Sequence, residues 1–108
     1  MNSLGLKTVT TAGTPVQLTT SEIFCSQILI QPVRAGGASG TPPTPNTGVV
    51  YLMRGNVAKA TGLGSCIAIL QVGADALLIR GTAPNSIDLR LFYLDSDTNG
   101  DGALVIYA

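Results

Sequence analysis

The stretch Ile87-Asp-Leu-Arg-Leu-Phe-Tyr-Leu-Asp95-Ser-Asp97-Thr-Asn99-Gly100-Asp101-Gly-Ala-Leu-Val-Ile-Tyr107 decides the fold class. Its first half alternates. Ile87, Leu89, Leu91 and Tyr93 fall on one face of an extended chain and Asp88 and Arg90 on the other. Phe92 and Leu94 then make the second face apolar, and residues 103–107 are apolar on both faces. Asn99-Gly100 between the two runs is the strongest short hairpin signal, because a type I′ turn needs positive φ at both central positions. The expectation is a C-terminal hairpin in which Tyr93 faces Ile106 and Phe92 faces Tyr107.

Working outward, similar short runs rich in Val, Ile, Leu, Thr and Tyr occupy 5–11, 15–19, 24–33, 49–54, 65–71, 76–80, 86–94 and 103–107. They are separated by Gly, Pro, Asn and Asp, and turns are expected at Ala12-Gly13, Gly73-Ala74 and Pro84-Asn85. No segment carries a helical period. The chain of 108 residues therefore reads as all-β, a single β-sandwich or jelly-roll-like barrel of about eight short strands spanning 1–108. Residues 35–48, Ala-Gly-Gly-Ala-Ser-Gly-Thr-Pro-Pro-Thr-Pro-Asn-Thr-Gly, have almost nothing apolar to bury and several prolines that cannot donate to a ladder. They read as a long exposed loop, either a contact arm or a plain flexible excursion.

Only 11% of residues are charged, against about 25% in an ordinary domain, while 45% are hydrophobic. Such a chain folds, and its surface must be largely neutral. Six basic and six acidic residues cancel, with no Lys or Arg run to neutralise phosphates, so nucleic acid is not an expected partner. Residues 1–7 lack the basic and apolar regions of a signal peptide, and no apolar run approaches the roughly 18 residues of a membrane span. The membrane is likewise not an expected partner.

No His is present, which removes the commonest general base and the usual activated nucleophiles; an enzyme is not expected and no cofactor is implied. Gly62-Leu63-Gly64-Ser65-Cys66 has neither the order of a nucleophile elbow nor that of a phosphate loop, and reads as a β-turn. Asp95, Asp97, Asn99 and Asp101 alternate as in the opening of a calcium loop. The twelfth position, however, is Ile106 where a bidentate Glu belongs, and the flanks read as strands. An exposed turn is the first reading and a calcium site the alternative. Cys25 and Cys66 read as buried thiols, with a single disulfide as the rival. Arg34, Arg54, Arg80 and Arg90 sit in or at the end of expected strands and are interface candidates, Arg being enriched at such surfaces.

The segment 87–107 resembles the C-terminal hairpin of small virion proteins of tailed bacteriophages, which end in a Tyr-Leu-Asp strand, an Asp/Gly turn and an apolar strand closing on Tyr. Lys7-Thr-Val-Thr-Thr-Ala-Gly-Thr-Pro-Val-Gln-Leu-Thr19 is similar to their N-terminal hairpin, and 49–55 with 62–73 is compatible with their central strands. The resemblance implies a β-sandwich that decorates or cements a capsid by binding the major capsid protein or another virion protein, or that belongs to the tail or neck. It would be assembled in the host cytoplasm, carried in the virion, and often a symmetric oligomer. A carbohydrate- or receptor-binding module of a phage tail or cell surface is the alternative. With both faces of the expected hairpin apolar, Phe92, Leu94, Val105 and Tyr107 are candidates for a contact between copies. A homo-oligomer is expected, a trimer rather than a dimer, with this hairpin or the loop 35–48 at the contact.

Overall fold

The computed structural model describes residues 1–37 and 41–108. Its strands are β1 (Asn2–Thr8), β2 (Val16–Gln17), β3 (Phe24–Cys25), β4 (Gln27–Gln31), β5 (Val33–Arg34), β6 (Thr44–Pro45), β7 (Val50–Arg54), β8 (Cys66–Leu70), β9 (Leu77–Arg80), β10 (Ile87–Asp88), β11 (Phe92–Ser96) and β12 (Gly102–Tyr107). Two four-stranded antiparallel sheets, β1-β12-β4-β9 and β2-β11-β7-β8, form an all-β, sandwich-like fold. Two short ribbons, β3 with β10 and β5 with β6, close its ends.

Alternation puts the core between the sheets. Ile28 and Ile30 of β4 and Ala103 and Val105 of β12 pack against Val50 and Leu52 of β7 and Phe92 and Leu94 of β11, joined by Val9, Leu18, Leu70, Ile87 and Leu89.

More strands form than the sequence runs imply, because two runs break. Pro32, which has no N–H, separates β4 from β5. Residues 86–94 break at a 3₁₀ turn, Leu89–Leu91, where the Asp88 side chain accepts from the Arg90 N–H. The one α-helical segment among the described residues, α1 (Lys59–Gly62), is a single turn that runs into a second 3₁₀ turn, Leu63–Ser65; the expected β-turn at 62–66 is thus helical. The three expected turns are present, with positive φ at Gly13, Gly73 and Asn85.

The C-terminal hairpin is not formed. β11 lies between β2 and β7, and β12 lies between β1 and β4, so residues 97–101 cross from one sheet to the other. A strand has two hydrogen-bonding edges, and both edges of each strand are already taken. Gly100 has φ of 88° while Asn99 stays at negative φ, which excludes type I′ geometry. The crossing is held by the Val9 N–H on the Asp101 carbonyl and the Gly100 N–H on the Val9 carbonyl, both at 2.8 Å. Gly102 is required where the crossing ends, since a Cβ there would collide with the Lys7 carbonyl of β1.

This geometry also corrects the reading of Phe92, Leu94, Val105 and Tyr107 as a face left for another copy. The first three are buried and Tyr107 packs against them. The single face expected to carry Phe92, Leu94, Val105 and Tyr107 is split between the two sheets, whose facing walls enclose the chain's own interior, while Leu91 stays exposed.

The loop 35–48 is likewise more structured than expected at its C-terminal end; residues 38–40 lie outside the described residues. Thr44 and Pro45 pair with Arg34 and Val33. Asn46 is buried, donating to the Gly102 carbonyl at 2.9 Å and accepting from the Gly102 N–H at 3.0 Å. Its amide imitates a strand partner.

Leu94→Ala is expected to lower the unfolding free energy by about 2–5 kcal/mol, because Leu94 is fully buried between the sheets. Leu91→Ala, at a side chain 43% exposed, should cost under about 1 kcal/mol. Urea unfolding of the two variants that gave equal losses would contradict the sheet assignment.

Candidate functional site

The four side chains of the calcium alternative diverge. Asp95 is buried and accepts from the N–H groups of Gly13 (2.8 Å), Lys59 (2.9 Å) and Ser96 (2.8 Å). It ties β11 to the turn before β2 and to the start of α1. Asp101, also buried, accepts from the N–H groups of Thr47 (3.0 Å) and Gly48 (2.7 Å) and from the Thr47 hydroxyl, and pairs with Arg34 at 3.3 Å. Asn99 accepts from the Ala12 N–H. Asp97 is exposed and meets the Tyr51 hydroxyl and the Lys59 ammonium. Among the described residues no three acidic, His or Cys side chains are grouped to hold a metal ion. The oxygens of Asp95, Asn99 and Asp101 accept from backbone N–H groups of separate segments, and those of Asp97 accept from the Tyr51 hydroxyl.

The carboxylates explain what sequence spacing could not. An isolated buried carboxylate is costly, but one that accepts several N–H bonds satisfies itself and the otherwise orphaned donors of a loop. Period-two spacing on an exposed turn and on a buried sheet crossing look the same.

The arginines divide into two pairs. Arg34 serves Asp101, and Arg90 forms a two-pronged pair with Asp88, with Nη2 to Oδ2 at 2.8 Å, and reaches Glu22 at 3.6 Å. The Arg90 contact holds the Asp88 carboxyl below the usual carboxylate range, and Asp88 in turn raises Arg90. Arg54 and Arg80 form no ion pair among the described residues and line one shallow cleft together.

Cys25 and Cys66 are both free thiols; Cys25 is in the core and Cys66 half-buried. Burial raises the Cys25 thiol above its ordinary value and keeps it protonated at neutral pH. Tyr51 is also raised, by desolvation and then by the Asp97 charge.

What the sequence reading did not single out is the rim formed by β8 and β9. Each ends its sheet and, among the described residues, has one unpaired edge. Ile67, Ile69 (51% exposed) and Val72 on or just after β8, and Leu77 and Leu78 on β9, present aliphatic side chains to solvent. The signal in the sequence is the uncharged run 66–72. Long, exposed apolar edges are pairing templates that proteins usually blunt with charge. No helix among the described residues is long and apolar enough to cross a membrane.

Comparison of the chain with protein-family models, with curated proteins and with solved structures finds no match.

Asp101→Ala removes the shared acceptor of two N–H groups, a hydroxyl and Arg34, and should lower stability by about 3 kcal/mol. Asp97→Ala should cost under about 1 kcal/mol, its partners being at the surface. Chemical denaturation distinguishes them, and an equal loss at both positions would show that the buried bonds are not what holds the crossing.

Because the folded Asp88 carboxyl sits below its unfolded value, its contribution is fully present above the ordinary carboxylate range. It is lost as pH falls through the lowered folded value. Melting curves of wild type and Asp88→Asn should therefore converge toward acid pH; a gap independent of pH would mean that the charge contributes nothing.

Proposed function

We propose that this chain is a non-enzymatic structural protein of a tailed-phage virion, decorating or cementing the capsid by binding the major capsid protein or a neighbouring virion protein. The observation that carries the reading is the pair of aliphatic edge strands, β8 and β9, on a molecule whose other two sheet-edge strands, β1 and β2, bear no large exposed apolar side chain. An edge of this kind favours a protein partner, which pairs the backbone and covers the side chains together. The neutral composition and the likeness of residues 7–19 and 87–107 to small virion proteins support the same class. Placement in the virion, after assembly in the host cytoplasm, belongs to the same proposal. So does a homo-oligomer, with its contact moved from Phe92, Leu94, Val105 and Tyr107 to the β8 and β9 rim.

The carbohydrate-binding alternative draws less support. Phe24 is the one aromatic side chain that is largely exposed among the described residues, and the Arg90 guanidinium lies over it at 5.9 Å.

Purified protein is expected to co-sediment with isolated phage capsids and to be found in virions by mass spectrometry. Ile69→Lys, on the solvent face of β8, should weaken capsid association by about tenfold or more without changing the melting temperature. Absence from virions together with no affinity for capsids would overturn the reading.

A further inference from the structure

We propose that the cleft between β8 and β9 is a docking site for an extended segment of a partner protein that carries aliphatic side chains and a carboxylate, with the carboxylate held by Arg54 and Arg80. The inference rests on the reading that the chain works by holding another protein.

The cleft, about 310 Å³, has an apolar floor of Ile67, Ile79, Ile87 and Phe92. Its position follows from the strand register. Leu52 pairs with Ala68 and Met53 with Cys66, which leaves Ile67 as the extra residue of a β-bulge. A bulge at an edge re-aims a side chain, and here Ile67 lines the cleft. Arg54 pairs with Phe92, so it leaves β7 on the core-facing side where the sandwich opens. Arg80 is the last residue of β9.

Charge decides the chemistry of the occupant. Of the six carboxylates, Asp88 and Glu22 meet Arg90, Asp97 meets Lys59, Asp101 meets Arg34, and Asp95 is held by N–H groups. Asp75 lies beyond the far end of β9 and lines a different cleft. No acidic side chain lines the cleft that holds Arg54 and Arg80. An apolar occupant alone would desolvate two unpaired guanidinium groups, whereas a carboxylate pairs with them in the planar, two-pronged manner that Arg favours.

The shape of the occupant follows from β9. Among the described residues its one strand partner is β4, so the second edge of Leu77–Arg80 offers unpaired backbone groups beside the exposed Leu77 and Leu78. A strand added there would extend the sheet over the open side of the sandwich and lay its alternate side chains onto the cleft floor.

The test is an amide-resolved NMR titration of the intact chain with a capped Val-Thr-Glu-Thr-Val peptide, which as a strand puts its two Val and its Glu on one face, its Val-Thr-Gln-Thr-Val counterpart, and octanoate. The Glu peptide is expected to shift the amides of Ile67, Ile79, Gly81 and Ile87. Binding should fall about tenfold with the Gln peptide and in the Arg54→Gln/Arg80→Gln variant, whose melting temperature should match wild type. Equal binding of the two peptides, no binding of the Glu peptide, or shifts from octanoate alone would each overturn the inference. Capsid co-sedimentation separates the two readings. Equal capsid binding by wild type and the double variant would sink the cleft and leave the assembly role standing. Charge-dependent peptide binding by a protein that ignores capsids would do the reverse.

Discussion

Residues 97–101 must carry the chain from one sheet to the other between two strands whose apolar residues form the facing walls of the core. The carboxylates at its two ends, Asp95 and Asp101, lie where water cannot reach them, and the chain around them is arranged to satisfy them. Asp101 collects the N–H groups of Thr47 and Gly48, and Asp95 those of Gly13 and Lys59. Each carboxylate fixes chain distant in sequence, so the two excursions most in need of anchoring, 35–48 and 55–65, are tied to the strands by the same short acidic segment. No buried side-chain N or O among the described residues lacks a partner.

Using charge internally has a consequence at the surface. A chain with six acids spends most of them on its own loops and arginines, and the outside is left close to neutral. The cations without an ion-pair partner among the described residues include Arg54 and Arg80, at the one rim where the sandwich is also aliphatic. Colocalised apolar edge and unpaired guanidinium groups are what a protein surface needs to bind an acidic strand, and the proposed role and the proposed occupant both grow from that overlap.

Alternation, turn residues and the lack of any helical period determined the all-β class, because these are local properties: side chains of an extended chain alternate, and Gly13, Gly73 and Asn85 adopt positive φ wherever the strands go. Strand pairing is different. Asn99-Gly100 suits a hairpin when read alone, but whether Phe92–Ser96 and Gly102–Tyr107 pair or face each other depends on who takes their edges, and β1, β2, β4 and β7 do. The same apolar spacing fits both outcomes, so only the tertiary structure decided that Phe92, Leu94 and Val105 are core and that Asp95 and Asp101 are buried. It also decided where the open edge lies, since an edge is defined by the strand that is absent beside it, and no residue of β8 or β9 encodes that by itself.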